Sequence, residues 1–367
     1  MRYSVIGEDL VPLIGQGGSI IGEDPSINYD RILKTGIDNG LTFIDTAEVY
    51  TGGESEKIIG RAISKCREKV FICTKVSPNH LLFNDIISSA DNSLRRLNID
   101  TIDLYKIHWP NNLLCPDDIL RAFDDLHRHG KVRYFGVSNF LPMDFEKFNT
   151  KDTRFGSFVS NQIEYNLFDR FAEIGIIPYF KNKDVKIIAY SPLNRGNICS
   201  DSEEILKELS AKYHKTPAQI SLNWLASHDI ISVPFSSNID HIVENATSCD
   251  FEIDEQDMDL INKEVKGKLL FKKVSEIQVA KNGFGGHKVY NTKEEALENR
   301  YNFCPSPRDI SDYLLSLSRE ELNYIKPVRV MDENGVLNLI EGRVRYWGWN
   351  IAFGDDILLP VYIVKKG

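Results

Sequence analysis

The sequence predicts an α/β chain: a (β/α)8 barrel of the TIM type followed by a small α+β domain. Three observations carry that expectation. Apolar strand-like segments alternate with amphipathic helix-like ones about eight times within roughly 250 residues, the pattern a closed parallel barrel requires. Ionisable and polar residues stand at the ends of those strand segments, where a barrel gathers them at one mouth. The chain has 367 residues, whereas compact domains usually stop near ~250–300. The expected division is therefore a barrel over 1–266 and a small domain over 267–367.

In chain order, Val11-Pro-Leu-Ile-Gly-Gln-Gly-Gly18 reads as a short strand entering a glycine-rich turn, and Tyr29 to Asn39 as a helix stopped at Gly40. Leu41 to Ile44 is an apolar run of strand formers that ends in a carboxylate, Asp45, with a phenol, Tyr50, shortly after it. Gly52-Gly53 makes a turn into Glu54 to Ile63, an amphipathic helix with acid in its first turn. Lys69 to Lys75 is a strand ending in a lysine, Asp85 to Leu97 a helix, and Ile102 to His108 a strand ending in a histidine. A helix over Pro116 to His129 is followed by the strand Val132 to Asn139, a helix near Met143 to Phe148 and the strand Phe158 to Gln162. Ala172 to Lys183 is a helix, Val185 to Tyr190 a strand, and Ser202–Tyr213 and Pro217–His228 are helices. Ile230 to Pro234 closes the strand series, with a helix over Asp240 to Ser248.

Composition narrows the class of function. The apolar share is 42%, the charged share 26% and the formal charge −9. No run reaches the ~18–20 apolar residues of a membrane span, and the acidic balance argues against nucleic acid as a partner. The cysteines are scattered, without C-x-x-C or Cys/His ligand spacing, so no metal is expected. With acid in the first residues instead of a signal peptide, a cytoplasmic location is the expectation.

The strand-end rule brings together Asp45, Tyr50, Lys75, His108, Ser138, Asn139, Gln162, Tyr190 and Ser236. A phenol has a reference pKa of about 10 and exchanges protons near neutrality only where its surroundings favour phenolate. Lys75 beside Tyr50 is expected to do this, which takes roughly 4 kcal/mol of differential stabilisation. Asp45 holds that ammonium in place, and a neutral His108 orients a carbonyl oxygen toward Tyr50. Such a set protonates an oxygen while hydride arrives at the attached carbon. No G-x-G-x-x-G stands at a strand–helix joint. Instead, Tyr190 offers a ring to stack on a nicotinamide, and Ser138, Asn139 and Gln162 offer bonds to its carboxamide. The segment Pro234 to Asn245 offers hydroxyls and helix-start amides to phosphate, with Glu244 and Asn245 for adenine edges. Singly, Asp45 serves equally as a helix cap, Lys75 as a surface lysine and Tyr190 as core packing; their joint placement carries the catalytic reading.

These residues resemble the aldo-keto reductase superfamily. Phe43-Ile-Asp-Thr-Ala-x-x-Tyr50, Thr74-Lys75, His108-Trp-Pro110, Gly136-Val-Ser-Asn-Phe140, Asn161-Gln-Ile-Glu-Tyr-Asn166, Ala189-Tyr-Ser-Pro-Leu193 and Glu244-Asn245 follow one another as in that family. The resemblance implies an NAD(P)-dependent oxidoreductase acting on a small carbonyl substrate, an aldehyde, ketone or sugar, reversibly with the alcohol. It implies Tyr50 as general acid/base, Lys75 and Asp45 as its tuners, and His108 orienting the carbonyl. The implied cofactor contacts are Ser138, Asn139, Gln162, Tyr190, Ser191, Leu193, Arg195, Ser236, Ser237, His241, Glu244 and Asn245. NADP(H) is the family default. Phe235, Ser237 and His241 stand where many members carry a strong base for the 2′-phosphate, which leaves NAD(H) an open alternative. A catalytically silent barrel that senses its cofactor and signals through the carboxy-terminal domain is the alternative from a different functional class.

Beyond 266, Phe271 to Val279 reads as strand-like, Gly283-Phe-Gly-Gly286 as a loop and Ser306 to Leu317 as a turn into a helix. Ile325 to Val330, the hairpin turn Asn334-Gly335 and Leu337 to Gly342 follow, then Arg343-Val-Arg-Tyr-Trp-Gly-Trp349 and Leu358 to Val364. That order resembles the ParB/sulfiredoxin-like nucleotide-binding domain. The resemblance implies that Arg343 and Arg345 meet the phosphates of a nucleotide or phosphorylated ligand.

Overall fold

The computed structural model describes residues 1–110, 115–148, 153–200, 204–265, 268–279, 290–301 and 305–364. The chain divides into two units, one of Met1–Pro110, Leu114–Asp169 and Ile176–Val265, the other of Arg170–Gly175 and the chain from Lys266 onward.

The first unit opens with an antiparallel hairpin, β1 (Tyr3–Ile6) and β2 (Asp9–Pro12). Then come β3 (Gln16–Gly17), α1 (Tyr29–Asp38), β4 (Phe43–Asp45), α2 (Glu54–Ile63), β5 (Phe71–Val76), α3 (Phe83–Leu97), β6 (Ile102–Ile107) and α4 (Pro116–Arg128). The series continues with β7 (Val132–Ser138), α5 (Pro142–Phe145), β8 (Ser160–Glu164), α6 (Ile176–Asn182), β9 (Lys186–Tyr190) and α7 (Asn197–Ser200). It ends with α8 (Glu204–Tyr213), α9 (Pro217–Ser227), β10 (Ile231–Ser232), α10 (Ile239–Ala246) and α11 (Glu255–Glu264). Strands β3 to β10 form one eight-stranded sheet in sequential order. The sheet curls until its ends meet: Ile14 bridges Ser232, and Gly15 and Gly17 donate their amides to Ser232 O and Pro234 O at 2.8 Å each.

Every residue of β5 and β6 is buried, as expected of parallel strands covered on both faces. The core between sheet and helices includes Phe123, Phe135, Phe158 and Trp224, each about fully buried. The segment Val11–Gly18, expected as a short strand entering a glycine-rich turn, carries strand at both ends. Pro12 has no amide to extend a ladder, so β2 ends there, pairs back on β1, and leaves β3 to start the barrel. The expected helix near Met143 is a single turn, and Phe171–Ile174 forms a 3-10 turn ahead of α6.

The second unit holds β11 (Lys268–Lys273), β12 (Ile277–Gln278), α12 (Lys293–Leu297), α13 (Pro307–Ser316), β13 (Val328–Glu333), β14 (Val336–Glu341), α14 (Arg343–Phe353) and β15 (Leu358–Val364). Its strands form a five-stranded mixed sheet in the order β11-β15-β13-β14-β12. Asn334 and Gly335 take φ of 56° and 86°, the left-handed pair that a two-residue hairpin needs. Ser306 caps α13 by accepting from the Asp309 amide, and Trp347 donates its indole N–H to Tyr290 O at 3.1 Å. Trp347 and Trp349 are thus buried packing groups. The expected loop Gly283–Gly286 lies outside the described residues.

Candidate active site

Adjacent parallel strands set three charged side chains side by side within the barrel. Asp45 is the last residue of β4, Lys75 the fifth of β5, and the register places Lys75 level with Lys106 on β6. The Lys75 ammonium donates to Asp45 Oδ2 at 2.8 Å, to Thr46 O at 2.6 Å and to the Tyr50 hydroxyl at 3.2 Å. Tyr50 arrives from the turn after β4, where Gly52 and Gly53 take left-handed φ of 64° and 87°. The His108 ring, just past the end of β6, stands edge-on to the Tyr50 ring, with centroids 5.5 Å apart and planes at 82°. All four expected catalytic side chains therefore meet.

A fifth side chain joins them unannounced. Lys106 is 0% exposed and donates to Asp45 Oδ1 at 2.9 Å and to Gln162 Oε1 at 2.6 Å. Its signal in the sequence is a lysine inside the otherwise apolar run Leu104-Tyr-Lys-Ile107. In a strand buried on both faces, a lysine needs a buried acidic or carbonyl partner.

The charges set the protonation states. Burial by itself would raise the Asp45 carboxyl, but the ammonium groups of Lys106 and Lys75 outweigh it and hold the acid far below the ordinary carboxylate range. Burial pushes the His108 imidazole down to about 3, with the Lys75 charge adding to the effect, so the ring is neutral as expected. Tyr50 corrects an expectation. Burial and the Asp45 carboxylate push its hydroxyl above the ordinary phenol range, against the opposing charge of Lys106. The site without ligands holds a protonated phenol, the state of a proton donor, and not a phenol brought down to neutrality.

Of the residues expected to hold a cofactor, Ser138, Asn139, Gln162 and Tyr190 share one patch at the ends of β7, β8 and β9. Ser138 donates to Gln162 O at 3.0 Å; Asn139 donates to His108 O at 3.1 Å and accepts from the Tyr190 hydroxyl at 3.0 Å. Asn139 therefore fixes the Tyr190 ring, and its left-handed φ of 62° suits asparagine. The loop after β9 holds Ser191, Leu193 and Arg195, with Ser191, Asn194 and Arg195 all at positive φ. After β10, Ser236 accepts from the Asn238 amide and meets His241 Nδ1 at 3.3 Å, while Ser237 and His241 are exposed. Within α10, Glu244 accepts from the hydroxyl of Thr216, the cap of α9, and Asn245 is buried.

The neutral His108 carries a stability consequence. An unfolded histidine takes up its proton near pH ~6.5, so this residue's contribution is complete above that pH and is lost as pH falls toward about 3. Melting curves of the wild type should fall more steeply between pH 7 and 4 than those of His108→Gln; parallel curves would contradict the buried neutral ring.

Known proteins align with this arrangement. A model of the aldo/keto reductase family matches residues 23–266. The methylglyoxal reductase YeaE of Escherichia coli (strain K12) is 32% identical over 263 residues, covering 70% of this chain and 92% of that protein. The glyoxal reductase of Bacillus subtilis (strain 168) is 34% identical over 230 residues, covering 63% and 81%. The crystal structure of an aldo/keto reductase from Klebsiella pneumoniae in complex with NADP and acetate superposes with a TM-score of 0.66 at 30% identity, covering 71% of this chain and 93% of that one. The family match over residues 23–266 spans Asp45, Tyr50, Lys75 and His108, and the chain belongs to the aldo/keto reductase family.

Proposed function

We propose that this chain is an NAD(P)H-dependent carbonyl reductase that turns an aldehyde, ketone or sugar-type carbonyl into the alcohol, reversibly. The observation that carries the reading is one buried ammonium, Lys75, bonded at once to Asp45 and to the Tyr50 hydroxyl. The names of the relatives make α-dicarbonyls such as methylglyoxal and glyoxal the first substrates to test. A bound reduced nicotinamide supplies hydride to the carbonyl carbon. His108, neutral and edge-on to Tyr50, holds the carbonyl oxygen by a hydrogen bond. Tyr50 gives its proton to that oxygen as negative charge develops there, and Lys75 steadies the phenolate left behind.

The residues fit such a cofactor. Tyr190 is held edge-fixed by Asn139 for stacking, and Ser138, Asn139 and Gln162 line the same patch. The loop Ser191 to Gly196 carries three non-glycine residues at positive φ, strain that is kept where a ligand repays it, and Arg195 lies exposed within it. NADP(H) is the cofactor we propose. With Phe235, Ser237 and His241 where a lysine or arginine is common, its 2′-phosphate would meet a hydroxyl and an imidazole, and NAD(H) competes.

Tyr50→Phe should lower kcat/KM for methylglyoxal by at least ~10³-fold while leaving NADPH and NADH affinities, titrated side by side, within a few-fold. Undiminished turnover in that variant would overturn the reading. Absence of turnover by the wild type across aldehydes, ketones and sugars would leave a cofactor-sensing barrel.

For residues 267–367 we infer a separate domain with a nucleotide or phosphorylated ligand at the start of α14, on the pattern of the ParB/sulfiredoxin-like domain. Gly342, at φ 93°, turns the chain from β14 into α14, whose first residues are Arg343 to Arg345. Arg343 is buried and donates to Asn291 Oδ1 at 2.7 Å, so it shapes the turn. Arg345 donates to Pro327 O at 3.3 Å, and its buried Nε has no hydrogen-bond partner among the described residues. Titration with ATP, ADP and inorganic phosphate should give saturable binding that Arg345→Ala weakens at least ~tenfold. Binding unchanged in that variant, or none at millimolar ligand, would contradict the assignment.

A further inference from the structure

The reductase reading accounts for Asp45, Lys75, Tyr50 and His108 but leaves one buried charge without a task. Lys106 sits inside the barrel at 0% exposure. Its side chain runs from β6 across β7 to β8, and the crossing is open because β7 carries Gly136 opposite Lys106 in the register. A Cβ at Gly136 would stand 3.2 Å from Lys106 Cγ and 2.4 Å from Ser160 Oγ. The lysine ends between two acceptors, Asp45 Oδ1 at 2.9 Å and Gln162 Oε1 at 2.6 Å.

Two consequences follow from that placement. An ammonium only donates, so the atom that Gln162 turns toward it must be the amide oxygen, and the amide NH2 is left as the opposite end. The charges also do not cancel: one carboxylate, Asp45, faces two ammonium groups, Lys75 and Lys106. Cys73, Tyr50 and His108, the groups whose protonation the Lys106 charge influences, supply no second negative charge, since burial raises the Cys73 thiol to about 12; the buried carboxylate further along β8, Glu164, faces Arg195 at 4.0 Å.

We propose that Lys106 is a positioning residue for the reduction: by bridging Asp45 and Gln162 it fixes the Gln162 amide with its NH2 toward the nicotinamide carboxamide oxygen, and it supplies the surplus positive charge that favours the reduced, neutral nicotinamide over the oxidised, cationic one. The proposal rests on the reductase reading and adds a direction to it. A surplus cation near the ring holds NADPH more tightly than NADP+. It also steadies the Tyr50 phenolate after proton transfer. The first effect favours loading with NADPH and release of NADP+ over the reverse exchange; the second favours proton donation by Tyr50.

The test compares NADPH and NADP+ titrations of wild type, Lys106→Met and Lys106→Gln, together with the pH profile of alcohol oxidation. Lys106→Met removes both charge and bond, and should lower the ratio of NADP+ to NADPH dissociation constants at least ~threefold while weakening both ligands. It should also move the alkaline rise of oxidation, which needs Tyr50 as base, upward by about one pH unit. Lys106→Gln keeps a donor toward Gln162, and should shift ratio and profile with less loss of overall affinity. ADP-ribose or its 2′-phosphate form lacks the nicotinamide and should bind all three proteins alike. If Lys106→Met loses that ligand through misfolding, Lys106→Gln carries the same comparison. Wild-type ratio and profile in the folded variants would overturn the proposal. A wild-type chain that binds neither nicotinamide form would overturn the reductase reading itself.

Discussion

A single carboxylate buried in the barrel sets the terms for everything at its mouth. Asp45 faces Lys75 and Lys106, one on each of its two oxygens, and all three side chains are nearly sealed from solvent. Taking such ions out of water costs several kcal/mol each, and the cost is offset only where geometry and hydrogen bonds are close to complete. Here they are. Lys75 spends its donors on Asp45, Thr46 O and Tyr50, and Lys106 spends two on Asp45 and Gln162. The acid both offsets the burial of the two ammonium groups and aims Lys75 at the phenol.

From that arrangement the site's division of labour follows. Tyr50 keeps its proton, because burial and the nearby carboxylate both oppose the phenolate. The same burial keeps His108 neutral. In the proposed reaction it donates a hydrogen bond to the carbonyl oxygen, and the proton has one source, Tyr50. The parallel register does the placing: neighbouring strands end at similar heights, so residues that are 30 and 61 positions apart from Asp45 in sequence arrive within hydrogen-bond reach of it.

Much of this was legible in the chain. Alternating strand and helix signals located the barrel, and polar residues at strand ends named Asp45, Tyr50, Lys75 and His108, because a strand end in a parallel barrel has only one place to face. What escaped was of two kinds. Lys106 hid one position inside its strand instead of at the end, and only the buried setting of β6 shows that its charge must be paired across the barrel. The Tyr50 protonation state depends on a balance between burial and several charges, a sum that spacing along a chain does not reveal. The hairpin of β1 and β2 was missed because its outward residues include Tyr3 and Leu10, apolar side chains that blur the alternation of a half-exposed strand. In the second unit Asn334-Gly335 announced its turn, since few other pairs accept two left-handed residues, whereas the order β11-β15-β13-β14-β12 comes from long-range pairing that no local signal encodes.

The most direct test of the central claim is the kcat/KM of Asp45→Asn for methylglyoxal at saturating NADPH, measured beside its NADPH affinity. If the buried carboxylate aims Lys75 at Tyr50, the variant should bind NADPH within about threefold of wild type yet reduce the carbonyl at least ~10²-fold more slowly. Near-wild-type reduction by a folded Asp45→Asn protein would contradict the account.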